Sequence, residues 1–514
     1  MDTAIPAFIG YTEKAEVDGK PLYNEPIRIH SLKRFVEVFG KGFRPERTVK
    51  TVSKAEVQID PDSYDVSVET ADGQTLYFST DHSSVQTFAL FASVKLFFAN
   101  GGDCCYVTSV GNYTDSGSAM AGVSIDLEKL EAGLAAVGEI VGPTMLVVPD
   151  AVYMASDGQE YWQCTDFYKL VASMLAQCTA LQDRIALVEP YGSQYLNADH
   201  PVEFGQNLNT VISEFRAKLP TEQDLSYGVC YFPFIETSIF SKKDVDYRDF
   251  KFSGLRVALE AQAKSLFEGN DLAQVLALID QADPKSENAP KTPKAIELLD
   301  RNLTDNLPVL ADMESQLAAS LGVLPPCGAM AGVMAKVDAD KGVWSAPANV
   351  ALNYVIAPSV PISSQQQEDL NAPIDGKSVN AIRQLTTLGT VPWGARTLLG
   401  NSHDWRYIQV RRTVIYLEQS IKNALANFDF AANDGKTWGM AAAATSTFLH
   451  EIWSQGGLLG NSQDEAYTVE CGLGSTMTSQ DILDGVMVVQ VHVAIMRPAE
   501  FIVLSFRQKV EGAD

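Results

Sequence analysis

Apolar positions along this chain follow several rhythms in turn. Short apolar runs at Met145 to Val148, Ile185 to Val188 and Val229 to Phe232 have the length and composition of strands. Helix-period patterns lie between them, around Glu160 to Ala180 and Asn207 to Lys218. Strand and helix in alternation over this length predict a parallel sheet flanked by helices. Upstream, Val85 to Phe98 is strongly apolar, Ser83 or Ser84 can cap it, and Gly101 and Gly102 can end it. A strand, Cys104 to Val110, follows directly. The predicted class is α/β, with a doubly wound mixed sheet as its core.

Other segments break the alternation. Residues 1–30 hold Pro6, Pro21 and Pro26 among short apolar pieces and read as an extended N-terminal arm. Residues 31–119 form an N-terminal region, with a hairpin-rich insertion at 46–80 marked by Val66-Ser67-Val68 and Leu76-Tyr77-Phe78. The α/β part spans 120–370 and carries a charged, helical outer insertion at 241–320, interrupted by the linker-like DPKSENAPKTP. Between Pro325 and Asn349 the chain returns to the core, and Gly328, Ala329, Ala331 and Gly332 allow close backbone approach.

An α+β C-terminal domain is predicted over 371–498. Its main helix carries one apolar stripe: Tyr407, Val410, Val414, Leu417, Ile421, Leu425 and Phe428. A second helix, Thr437 to Gln455, stops at Gly456 and Gly457. Met487 to Ile495 alternates, with Gln490 and His492 on the polar side. The last segment, 499–514, is a C-terminal arm whose strand is apolar on both faces through Phe501, Ile502, Val503, Leu504 and Phe506. Such a strand must be covered or it templates pairing with another chain. It is the predicted link between copies.

Composition narrows the function. A chain of 514 residues, 46% hydrophobic and 20% charged, can bury more than one core. A formal charge of −25 argues against a nucleic-acid footprint and for a surface that restrains premature association. No apolar run is long enough to span a membrane, and the first residues lack a secretory pattern, so a cytoplasmic site of synthesis is expected. The odd cysteines, Cys104, Cys105, Cys164, Cys178, Cys230, Cys327 and Cys471, form no C-x-x-C pair and read as reduced filling of apolar space.

Motifs for chemistry fall short. Gly376-Lys377-Ser378 has Asn371 where a phosphate loop needs its first glycine, and Gly435-Lys436-Thr437 has Phe430 there. His450-Glu451 lacks a second histidine, since Ser454 holds its place. Asp338, Asp340 and Gly342 lack the spacing and the closing glutamate of a calcium loop. No G-x-S-x-G elbow follows a strand. No cofactor and no metal are expected. The basic residues Arg396, Arg406, Arg411, Arg412, Lys422 and Lys436 outnumber the acidic Asp404, Glu418, Asp429 and Asp434 over that stretch. They serve either internal bonds or contact with an acidic neighbour.

Several stretches carry a resemblance to a known family. TAIPAFIGYTEKA (Thr3 to Ala15), FFANGGDCCYVTSVGNYT (Phe97 to Thr114) and Pro325 to Asn349 are three of them. Gly394-Ala395-Arg396-Thr397, Asp404-Trp405-Arg406-Tyr407 through Arg412, WSQGGLLGNSQDEAYTVECG (Trp453 to Gly472) and the ending PAEFIVLSF are the others. Together they resemble the contractile sheath proteins of phage tails and extracellular injection particles. The resemblance implies a non-enzymatic subunit that stacks as six-membered rings around an inner tube, meets baseplate and cap proteins, and shortens to drive the tube through an envelope. It also implies arms that add strands to neighbouring subunits and a tube-facing surface, here Arg406, Arg411 and Lys422 or the neighbouring helix with His450 and Glu451. The alternative is an α/β hydrolase-like enzyme.

Overall fold

The computed structural model describes residues 2–44, 46–61, 63–81, 87–114, 124–158, 160–196, 201–221 and 224–498. Among these, eight strands form the principal sheet: β1 Pro6–Thr12, β2 Ile27–Ile29, β3 Cys105–Asn112, β4 Met145–Val147, β5 Ile185–Val188, β6 Gly228–Phe232, β7 Asn380–Leu385 and β8 Gly389–Pro392. Their order is β8-β7-β6-β5-β4-β1-β3-β2. The six inner strands run parallel, and β2 and β8 close the two edges antiparallel. Phe8 meets Phe97 of the helix Leu90–Ala99 at 5.6 Å between ring centroids. Its neighbour Ile9 faces the helix Leu127–Gly138, where a methyl group added at Gly133 would lie 2.8 Å from Ile9 Cγ2. Successive residues of β1 point to opposite faces, so the sheet is covered on both sides. On the Phe8 side, the helix Cys327–Lys341 lies close against Leu90–Ala99: a methyl group at Gly328 would come within 2.6 Å of the Ser93 carbonyl oxygen.

The central strand corrects the expected N-terminal arm. All seven residues of Pro6–Thr12 are buried and hydrogen-bonded between β3 and β4. A strand buried on both faces shows no alternation, and Pro6 stands at its first position, where a missing amide costs the ladder nothing. The C-terminal boundary shifts as well. β7 and β8 belong to the principal sheet, so the α/β layer reaches Pro392 and the segment 371–498 is not one separate domain.

The two insertions form one outer body. The antiparallel sheet of Thr48–Val52, Val66–Glu69 and Thr75–Asp81 packs on the helices Phe252–Leu266, Gly269–Gln281, Pro293–Asn306 and Pro308–Leu321. Val49, Val66, Val68 and Phe78 share a core with Leu255, Leu259, Leu303 and Leu310. A cavity of about 450 Å³, lined by Phe88, Phe91, Phe234, Phe240 and Leu321, lies between this body and the α/β core.

The remaining residues build a small α+β unit. The helices Ile408–Leu425 and Gly435–Ser454 pack with a two-stranded ribbon, Tyr467–Glu470 against Gln490–Val493, around Leu417, Leu449, Ile452, Leu458 and Tyr467.

Candidate assembly surfaces

In a doubly wound sheet the chemically active place is the crevice beyond the carboxyl ends of the strands, where the winding reverses. Here the reversal falls between β1 and β4, and Asp150 fills it. The residue follows β4 and is fully buried. Its Oδ2 accepts from Tyr11 N at 2.7 Å; its Oδ1 accepts from Ala89 N at 2.6 Å and Leu90 N at 3.0 Å. The helix Leu90–Ala99 has no side-chain cap of its own. Asp150 therefore satisfies its first amides and complements its dipole. Glu189, at the end of β5, repeats the device, accepting from Cys327 N at 3.0 Å at the uncapped start of Cys327–Lys341. Burial pushes both carboxyls up, Asp150 to about 6 and Glu189 to about 7, against the lowering pull of their amide donors. The place where a hydrolase-like layer would hold its ligand is thus occupied by the protein's own carboxyl groups.

The motifs singled out in the sequence gather at the junction between this layer and the C-terminal helices. Asn380 of β7 donates from Nδ2 to Cys230 O at 2.9 Å and to Arg396 O at 2.7 Å, and accepts from Arg396 N at 2.7 Å. Thr397 N donates to Arg406 O at 2.8 Å, and Ile408 N to Ala395 O at 2.9 Å. Ser378, the end of the rejected phosphate loop, is buried and donates to Asn371 O at 2.6 Å. Arg411 lies between two rings, its guanidinium carbon 3.7 Å from the Trp405 centroid and 4.1 Å from that of Tyr227, and it donates to Asp224 at 3.2 Å and to Ser226 Oγ. Arg412 grips Asp338 with two bonds of 2.9 and 2.6 Å and donates to Thr3 O at 3.0 Å.

These placements correct two expectations. Arg411 is buried and its donors point inward, so it is not part of a tube-facing surface. Asp338, in the segment that fails as a calcium loop, lies on the helix Cys327–Lys341 and is the partner of Arg412. The long helix also has two apolar faces rather than one stripe. Ile408 and Ile415 belong to the core of the α/β layer, whereas Leu417 belongs to the C-terminal unit.

The outward side of the C-terminal unit carries the other expected residues. Lys422, His450 and Glu451 are exposed. Arg406 is half-buried; its Nε donates to Ser402 O at 2.9 Å and its Nη2 lies 2.8 Å from His403 Nδ1. His450 leans on Trp453 at 5.5 Å between ring centroids. The ribbon pairs Tyr467 with Val493 and Glu470 with Gln490. Among the described residues no third strand joins it, so each strand presents one unpaired edge. The apolar strand of Phe501, Ile502, Val503, Leu504 and Phe506 lies outside the described residues. Among the described residues no group of acidic, histidine or cysteine side chains can hold a metal ion, and no helix is long and apolar enough to cross a membrane.

Comparison with known proteins completes the picture. The family model of the phage tail sheath C-terminal domain matches residues 401–509. No curated protein matches the sequence. Among solved structures, the PVC sheath complex of an extracellular contractile injection system, in its contracted state, is 23% identical with a TM-score of 0.57, over 99% of this chain and 93% of that one. The helical sheath of the anti-feeding prophage in its contracted state is 24% identical with a TM-score of 0.57, over 99% and 94%. The baseplate of that prophage, also contracted, gives 22% and 0.58 over 99% and 94%. The chain shares the fold of these particle components along nearly its whole length, and the resemblance to contractile tail sheath proteins is borne out.

Proposed function

We propose that this chain is the repeating subunit of a contractile sheath, belonging to a phage tail or an extracellular injection particle. In this reading it polymerises as stacked six-membered rings around an inner tube, ends at baseplate and cap proteins, and contracts to drive the tube through a target envelope. The observation that carries the reading is the match of residues 401–509 to a sheath domain.

The physical link between subunits is strand addition. The ribbon Tyr467–Glu470 with Gln490–Val493 has open edges, and a two-stranded ribbon is marginal by itself. The segment from Ala499 to Val510 of another copy supplies the chemistry to complete it. Six to eight main-chain bonds at roughly 1 kcal/mol net each give on the order of several kcal/mol per arm. Burial of Phe501, Ile502, Val503, Leu504 and Phe506 adds a comparable amount. Such a link survives while subunits turn as rigid bodies. The energy of contraction is then stored at assembly rather than drawn from a nucleotide.

The tube-facing surface in this reading is formed by Arg406, Lys422, His450 and Glu451, without Arg411. The test of the function is removal of residues 499–514. The expected product is a folded monomer that forms no tubes in negative-stain microscopy. Normal tubes from the shortened chain would end the strand-addition reading.

A further inference from the structure

The cavity of about 450 Å³ between the outer body and the α/β core has a lining that assembly does not explain. Its volume falls in the range of small-molecule pockets, about 300–1,000 Å³. It lies at the end of the principal sheet where open α/β layers hold ligands. Tyr153 follows β4, Gln194 follows β5 and Phe234 follows β6, and all three line it. Neither Asp150 nor Glu189 does. The walls are largely aromatic, with Phe43, Phe88, Phe91 and Phe240 beside Phe234. Phe43 stands edge-on to Phe88 at 5.1 Å between ring centroids, and Tyr153 edge-on to Phe234 at 6.4 Å. The outer body adds Ser320 and Leu321.

Charge at this cavity runs against the rest of the chain. Lys41, Arg44, Arg47, Lys95 and Lys243 line it, and Asp244 is the one carboxylate among its lining residues, in a chain of formal charge −25. Three of these cations have partners inside the protein. Arg44 binds Asp246 at 3.1 Å and Asp249 at 2.9 Å. Lys95 Nζ donates to Ile239 O at 2.6 Å, stands 4.8 Å from the Phe240 centroid and lies 3.7 Å from Asp244, whose charge it offsets. Arg47 is buried and also bonded. Lys41 and Lys243 are exposed and hold no ion pair among the described residues. An apolar, ring-lined space with two surplus ammonium groups is complementary to a molecule with an apolar body and a negative head.

We propose that this cavity binds a free amphipathic carboxylate, with its apolar chain among the phenyl rings and its charged head at Lys41 and Lys243. Chain length and head charge then act separately. Each methylene buried among the rings tightens binding about fourfold. A negative head gains from the two ammonium groups, a neutral head does not, and a positive head is repelled by them. Because the walls come from both the α/β core and the outer body, the bound molecule bridges the seam between them. A ligand that binds only the folded chain also raises its stability.

Calorimetric titration of the full-length protein with decanoate, kept below its micelle concentration, tests this. One saturable site per chain is expected, with octanoate weaker by about fourfold for each methylene removed and decylammonium not bound. Lys41→Glu together with Lys243→Glu, both at exposed positions, should weaken decanoate at least tenfold and leave the weaker binding of octanol unchanged. Ser320→Trp, at the exposed end of Pro308–Leu321, should fill the cavity and abolish binding. Decanoate should raise the denaturation midpoint of the wild type and not that of Ser320→Trp. Absence of saturable binding, equal binding of decylammonium, or binding that survives both sets of substitutions would overturn the site.

Discussion

At the scale of single residues, the buried charges of this protein have built-in partners, and each partner makes a measurable claim. Asp150 is the only cap of Leu90–Ala99 among the described residues, through three backbone amides from two elements. Asp150→Ala leaves those amides buried and unpaired, at a cost of about 3 kcal/mol or more. Chemical denaturation should show the loss. Asp150→Asn keeps an acceptor but removes a titration. Because burial raises Asp150 to about 6 and Glu189 to about 7, the folded state holds protons that the unfolded chain has released. Their contribution is complete below about pH 4 and is lost as pH rises through 6 and 7. The denaturation midpoint of the wild type should fall over that range, and less so in Asp150→Asn. Arg412 makes the complementary claim. With Arg412→Ala, Asp338 stays buried without its counter-charge, and about 3–5 kcal/mol of attachment between the C-terminal helix and the α/β layer is lost. Limited proteolysis should then release the C-terminal unit first. In the sequence Arg411 and Arg412 stand out as a basic pair, but an internal bond and a surface contact look alike there. That choice depends on Asp224 and Asp338, which are far away along the chain. Asp150 and Glu189 gave no signal, since a lone acid after an apolar run looks like an ordinary loop residue.

At the scale of elements, what could be read depended on whether burial was one-sided. Ile185–Val188 and Gly228–Phe232 were visible as short apolar runs between helical patterns, and their flanking glycines and polar residues fixed their ends. Pro6–Thr12 reads as part of an arm because Pro6, Pro21 and Pro26 stand among short apolar pieces, and burial on both faces leaves the strand no alternation to betray it. The helix Ile408–Leu425 showed the stripe that faces its own unit; the second face was hidden because two of its positions are Arg411 and Arg412. The outer body was legible only as two unrelated insertions. Pairing across about two hundred residues leaves no local trace, yet the contact is tight. A methyl group at Gly254 would lie 2.2 Å from the Val49 carbonyl oxygen. Gly254→Ala should therefore push the strand Thr48–Val52 off the helix Phe252–Leu266. The expected readout is lost amide protection in Thr48–Val52 and Val66–Glu69 together, with Ile185–Val188 unchanged. Protection lost only in the helix would mean that the two insertions fold independently.

At the scale of the whole molecule, charge decides how copies meet. Each copy of the chain carries a formal charge of −25, so bringing many together, as the proposed assembly requires, is opposed by repulsion that attractive contacts must exceed. The screening length shortens from about 30 Å at 0.01 M salt to about 10 Å at 0.1 M. Polymerisation of the purified protein should therefore quicken as salt rises, in light scattering and in microscopy. If the proposed tube contact rests on attraction between these exposed cations and an acidic neighbour, it should respond in the opposite sense. Lys422 is the cleanest probe of it: exposed, on the last turn of Ile408–Leu425, and distant from the Arg411 and Arg412 anchors. Lys422→Glu should leave folding and tube-free contracted sheath intact. It should lower the yield of extended sheath around a tube, most at low salt, where an unscreened repulsion replaces an attraction. If extended particles form equally well with Lys422→Glu and with the double change that adds Arg406→Glu, this face of the helix does not touch a tube.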